Sequence, residues 1–225
     1  MARISHANPV SSGSNNPATK FLEWKSNDKC FEYYDKEVGK KVKVELPLKF
    51  LLLEHYHTVK GFNDASNSGI WSNEVYYIGT QPMSVRAFKG GEIASGLYKD
   101  IKAKVNSAGG DYHRSIYIMF EDGSIANIAL KGSGVSVWSD FHSDNKNQFD
   151  NHWIEVLSAK DQKKGSVKYS TPVFTVGNVL DSKESATADA VAREFQSYMN
   201  SYLTKDVGNI DVVEAVEVEG VELDF

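Results

Sequence analysis

Residues 48–59 read LKFLLLEHYHTV. The centre of this stretch is apolar on both faces, the pattern of a strand buried on both sides in the middle of a curled or closed sheet. Upstream, residues 30–46 predict a hairpin: Phe31, Tyr33, Val42, Val44 and Leu46 alternate with polar residues on either side of a Glu37–Lys41 turn around Gly39. Downstream, 60–73 (KGFNDASNSGIWSN) carries the Gly, Asn, Asp and Ser of a loop, together with two large aromatics, Phe62 and Trp71. Short strands are expected near 74–79 and 83–89, separated by a Thr80–Pro82 turn.

Ile93, Leu97, Ile101 and Val105 recur every four residues, so 92–106 predicts a helix between strands. Residues 112–120 and 124–131 predict strands joined by Glu121-Asp122-Gly123-Ser124, with Asp-Gly as the turn signal. A short helix is expected over 133–142, where Val135, Trp138 and Phe141 have helical spacing. A second hairpin is expected from 152–160 and 166–176 around Asp161–Gly165. A last helix is expected over 183–203, with Ala190, Phe195, Tyr198, Met199 and Tyr202 as its apolar face.

The sum is a mainly β fold. We expect an OB-fold-like antiparallel barrel with an N-terminal hairpin, an inserted helix and a C-terminal helix; barrel closure removes exposed sheet edges. A β-sandwich fits the same strand count almost as well. The expected organisation is a flexible arm over 1–19, a binding domain over 20–180, a C-terminal helix over 181–205 and an acidic tail over 206–225.

Charge sharpens this division. The 225 residues carry 25 Lys+Arg against 30 Asp+Glu, a net charge of -5 that argues against a nucleic-acid binder. Seven of the acids, however, lie in 206–225, where no Lys or Arg occurs. Without them, 23 acids face 25 bases, and the body carries +2. No apolar run approaches the roughly 20 residues of a membrane span. Met1–Thr19 has no apolar core of a secretory signal. The single cysteine, Cys30, cannot form an internal disulfide, which fits a reducing cytoplasm.

Catalytic signals are poor. There is no phosphate-binding Gly-Lys-Ser/Thr loop and no GxGxxG after a strand, and no cofactor is expected. His55 and His57, two apart on a strand, face one side and suit two metal ligands, with His142 and Asp140 or Asp144 as further donors. Their plainer role is as half-buried or groove-facing histidines. We expect no metal site and no enzyme.

Binding signals are stronger. Phe62, Trp71, Tyr77, Phe88, Tyr112 and Tyr117 interleave with Lys60, Arg86, Lys89 and Arg114 in and around the proposed barrel. Tyr112, Arg114 and Tyr117 share one strand and are expected on one face. Lys99, Lys102 and Lys104 mark the mid-chain helix, and Lys163, Lys164 and Lys168 the last hairpin. Single-stranded nucleic acid is held in this way: aromatic rings stack on bases while cations follow the phosphates. The six aromatics are the candidate stacking residues and the four cations the candidate phosphate contacts.

The segment from Val213 to Phe225 alternates acids with apolar groups and ends Leu223-Asp224-Phe225. Such alternation is typical of interaction segments, although a terminal edge strand has the same period. Glu217, Glu219, Glu222, Leu223, Asp224 and Phe225 are the candidate partner-binding residues. Being anionic, the tail could also fold back onto a basic groove and compete with DNA.

This acidic end resembles the single-stranded DNA-binding proteins of bacteria and tailed phages. The order of elements is similar to the phage members: arm, hairpin FEYYDKEVGKKVKVEL, strand PLKFLLLEHY, GIWSNEV, hairpin YHRSIYIMFEDGSIANIALKG, then GVSVWSDF. The resemblance covers about residues 20–180 plus the tail. It implies an OB-fold and sequence-tolerant binding of single-stranded DNA in phage replication, recombination and repair. It also implies recruitment of a polymerase, helicase/primase or nuclease through the tail, in the host-cell cytoplasm. The family's usual tail is denser in Asp; this one is rich in Val and Glu. Competing readings are a β-sandwich module for carbohydrate or protein, such as a virion accessory protein, and a metal-dependent nuclease using His55, His57 and a carboxylate.

Overall fold

The structure is a computed structural model that describes residues 16–204. Most of the expected arm and all of the acidic tail lie outside the described residues. The described part is mainly β, with three helices, one between strands in mid-chain and one after the last strand. It divides into two compact units. The first comprises residues up to 55 together with 114–202, and the second is built on 56–113.

The first unit begins with β1 (Ala18–Lys25), β2 (Cys30–Asp35) and β3 (Lys40–Val44). The expected N-terminal hairpin is present as β2–β3, with Tyr33 opposite Val42 and Gly39 at φ +70° in the turn. β1 extends it by pairing with β2. On its other side β1 runs parallel to β9 (Ile125–Lys131), a pairing that the expectation of an all-antiparallel sheet did not include. β8 (Gly110–Met119) joins β9 through the Asp122-Gly123 turn. The sheet order is β3-β2-β1-β9-β8, then β4 (Leu48–Asn63), β5 (Ser68–Ser72), β6 (Met83–Ala87) and β7 (Gly91–Gly96), with β10 (His152–Lys164) on β4 and β11 (Val167–Val179) on β10, and it is not closed into a barrel.

The stretch around 48–59 opens β4 (Leu48–Asn63). Phe50, Leu51, Leu52 and Leu53 are all buried, as the two-faced apolar pattern requires. Phe50 and Leu52 join a core with Leu22, Phe31, Ile116, Ile118, Ile128 and Trp138, the last on α2 (Ser133–Asn145). Each such side chain contributes about 1.5–3 kcal/mol through burial. β10 (His152–Lys164) and β11 (Val167–Val179) form the expected second hairpin, longer than its apolar pattern suggested. Eleven register pairs hold the hairpin, and the last four, from Asp161–Ser170 to Lys164–Val167, carry it beyond the apolar part.

α3 (Ser182–Thr204) starts with a capping box. The Asp181 carboxylate accepts from the N–H groups of Lys183 and Glu184 (2.8 Å each), and Glu184 accepts from the N–H of Asp181 (2.8 Å). Its buried face holds Ala188, Ala192, Phe195, Tyr198 and Met199, whereas Ala190 is exposed. No helix among the described residues is long and apolar enough to cross a membrane.

The second unit corrects the sequence reading at three points. The expected 60–73 loop is mostly strand: β4 runs to Asn63, and β5 (Ser68–Ser72) returns after a four-residue turn. Asn63 makes this tight turn work. Its side-chain oxygen accepts from the Ser66 N–H (2.9 Å), and its amide donates to the Ala108 carbonyl (2.9 Å). The expected strand at 74–79 is a single bridge, His57 to Val75, followed by a turn. There the Gln81 side-chain oxygen accepts from the N–H groups of Tyr76 (2.8 Å) and Tyr77 (2.7 Å). β6 (Met83–Ala87) then follows.

The expected helix over 92–106 is instead β7 (Gly91–Gly96) followed by α1 (Tyr98–Ser107). Ile101 and Val105 of α1 pack with Val59, Ile70, Val75, Met83, Val85 and Ala94. Gly109, at φ +92°, ends the helical turn, and its carbonyl accepts the N–H of Phe62 (3.3 Å). The backbones approach so closely here that a Cβ on Gly61 would sit 2.1 Å from the Gly109 oxygen.

Candidate nucleic-acid interface

Strand register in the second unit brings five of the ten predicted contact residues onto one surface. Lys60 of β4 lies opposite Trp71 of β5, and Trp71 opposite Arg86 of β6. Beside this row, Phe62 lies opposite Gly69, and the Gly69 carbonyl accepts the N–H of Phe88 (2.9 Å). Residues directly opposite each other share a face, as do residues i and i+2 on one strand. Two adjacent rows therefore form: Lys60–Trp71–Arg86 and Phe62–Gly69–Phe88.

The alternation that builds this surface also builds the core. Val59, Ile70 and Val85 point to the other side, where α1 covers them. Phe62 and Gly69 are exposed, and Lys60, Trp71, Arg86 and Phe88 are half-buried. Neighbouring strands are about 4.8 Å apart, so Lys60 and Arg86 flank Trp71 at the backbone on the two adjacent strands. The guanidinium of Arg86 makes no ion pair with any described residue, although Glu92 of β7 is its register partner. The surface thus offers flat aromatic faces with positive charge on the strands flanking Trp71, the combination that a stacked base and its phosphates require.

The other predicted residues are placed elsewhere. Tyr77 is 60% exposed, on the Gln81-capped turn, with its ring edge-on to Tyr76. Lys89 is exposed just beyond β6, where its N–H bonds the Ser68 hydroxyl (3.0 Å). Tyr112 lies in a cluster of its own: its hydroxyl meets His57 Nδ1 at 2.5 Å, and its ring leans on Tyr98. Burial pushes the Tyr98 phenol up, and neighbouring Tyr112 and Asp111 add to that. The lysines of α1 belong to the helix on the opposite side of the sheet.

One predicted contact requires correction, and another lies apart from this surface. Tyr117 is only 4% exposed, and its ring packs on Phe195 of α3 (4.6 Å between centroids). It stands an odd number of residues from Tyr112 and Arg114, so a regular strand turns it to the other face. Arg114 belongs to the first unit and is half-buried, with its charge acting on Glu54 and His142. Burial pushes Glu54 up to about 7, opposed by the His55 backbone N–H and by Arg114. Burial, helped by Arg114, lowers the pKa of His142.

The expected histidine pair is also split. His55 Nδ1 accepts from the Trp138 indole N–H (2.9 Å), and its ring lies tilted by 44° against His142 (4.3 Å between centroids). His57 instead faces Tyr112. The two therefore do not converge as ligands, and no group of three His, Cys, Asp or Glu among the described residues could hold a metal ion.

Sequence reasoning missed Gly69 as part of the surface. The signal was there: Lys60 and Phe62 stand as far before the 64–67 turn as Trp71 and Gly69 stand after it. Reading Asn63-Asp64 as a hairpin turn pairs them at once. Compared with family models, curated proteins and solved structures, the chain matches none.

Proposed function

We propose that this chain is a sequence-tolerant single-stranded DNA-binding protein of phage type, serving replication, recombination or repair without catalysing a reaction. The observation that carries the proposal is the pairing of Lys60, Trp71 and Arg86 across three strands beside Phe62 and Phe88. Aromatic faces take any base, since every base has a π-face, and the cations hold the backbone. A body charge of +2 is small. Affinity then rests on stacking and on where the cations stand, more than on net charge. The acidic tail docks replication or recombination proteins through Leu223, Asp224, Phe225 and the preceding glutamates.

Titration with oligo-dT, followed by tryptophan fluorescence and with duplex DNA as control, tests this reading. Trp71 is quenched as the single strand binds, and the duplex binds more weakly. Absence of binding to oligo-dT at low salt refutes it.

A further inference from the structure

We propose that Phe62, Gly69 and Phe88 form a slot that takes one unstacked base between the two rings. This rests on the single-stranded DNA reading and adds to it a particular subsite. Phe62 is paired with Gly69 in the strand register, and Phe88, the first residue of the turn after β6, is held in line with Gly69 by its N–H bond to the Gly69 carbonyl (2.9 Å), so the glycine lies in the middle of a lateral row. Phe62 and Phe88 are two strand spacings apart, about 9.5 Å at the backbone. A base sandwiched between rings needs a contact of about 3.5 Å on each side, roughly 7 Å in all, so rings leaning slightly inward close on it.

The glycine is the telling residue. A Cβ built on Gly69 meets only the Gly61 carbonyl oxygen, at 4.0 Å, an ordinary contact. Gly69 has no left-handed φ, unlike Gly39 or Gly109. Neither packing nor backbone conformation requires glycine there, and glycine weakens a strand. Gly61 and Gly109 differ, because an added Cβ at either lies 2.1 Å from a backbone oxygen. What Gly69 does provide is a bare floor between two phenyl rings.

The floor also explains tolerance of sequence. The Gly69 carbonyl takes part in the bond to Phe88 N–H between the strands (2.9 Å), and glycine brings no polar side chain to select a base edge. The slot accepts a π-system by its faces, while Lys60 and Arg86 on the adjacent row are placed for the flanking phosphates.

The test uses the full chain, as wild type, Gly69→Ala and Gly69→Leu. Binding of labelled oligo-dT is measured by anisotropy at several salt concentrations, and base insertion by the fluorescence of a single 2-aminopurine. Gly69→Leu fills the slot and weakens binding roughly five- to hundredfold, the range of one lost stack, with an unchanged salt slope. The 2-aminopurine quench seen with wild type is lost with it. Gly69→Ala keeps the thermal midpoint and most of the affinity. If Gly69→Leu does not fold, Phe62→Leu and Phe88→Leu replace it and each abolish the quench.

Wild-type binding with undiminished affinity and quench in Gly69→Leu, or in both phenylalanine variants, overturns the slot and leaves the DNA-binding reading standing. A wild-type protein that ignores oligo-dT overturns both.

Discussion

Trp71→Ala is the substitution that separates stacking from charge. The indole lies at the centre of the Lys60–Trp71–Arg86 row, on the face opposite the Val59, Ile70 and Val85 core. Removing it deletes an aromatic platform and leaves both cations in place. One lost base stack costs about 1–3 kcal/mol, which weakens binding about 5- to 140-fold. The indole carries no charge, so the log–log dependence of affinity on salt keeps its slope. Arg86→Gln does the reverse. Loss of one phosphate contact makes the slope shallower by about 0.7, so a fourfold rise in salt costs the variant about 2.6-fold less affinity than wild type. Anisotropy of a labelled oligo-dT at four salt concentrations measures both quantities without relying on tryptophan emission. The reasoning fails if Trp71→Ala alters the slope as much as Arg86→Gln does, or if it leaves affinity unchanged while the protein remains folded.

Other consequences follow from the same structure. Gly61→Ala places a methyl 2.1 Å from the Gly109 oxygen, between backbones that cannot readily yield. It should lower the thermal midpoint sharply, while Gly69→Ala leaves it nearly unchanged. Glu54 is 2% exposed, and burial lifts its carboxyl from 4.5 to about 7. The native state then holds a proton that the unfolded chain releases, so the Glu54 contribution falls as pH rises from about 4.5 to 7, by about 3 kcal/mol in all. Glu54→Gln removes that slope, and the difference between variant and wild-type urea melts across this range isolates it from His142, whose depressed pKa acts in the opposite sense. Deleting 206–225 removes seven acids. If the tail competes for the groove, the truncated protein binds oligo-dT more tightly at low salt; equal affinity at every salt concentration contradicts that competition.

Much of the fold was legible because its signals are local. Gly39 and Asp122-Gly123 mark tight hairpin turns, and the double-faced apolar run after Leu48 marks a buried strand. The failures have physical causes. A four-residue repeat is also an even spacing, so Ile93, Leu97, Ile101 and Val105 suit a strand running into a helix as well as one helix. Gly96, at φ +141°, stands between the two. The turn residues Asn63 to Ser68 and the glycines at 61 and 69 disguised a hairpin as a loop. The parallel pairing of β1 with β9 joins residues more than a hundred positions apart, and no local pattern encodes it. On the proposed interface, residue types singled out Lys60, Phe62, Trp71, Arg86 and Phe88 as candidates, whereas only register showed that they form two rows. Tyr117 shows the limit of composition: its ring type suits a base as well as it suits Phe195, and only the parity of its strand position distinguishes the two.

The central claim is that the outer face of β4, β5 and β6 holds the strand. Photo-cross-linking with an oligo-dT that carries 4-thiothymidine at successive positions, followed by mass spectrometry of the joined peptides, tests it most directly. The account predicts cross-links at Phe62, Trp71 or Phe88, lost on competition with unmodified oligo-dT. Cross-links confined to the β10–β11 hairpin or to other parts of the first unit would contradict it.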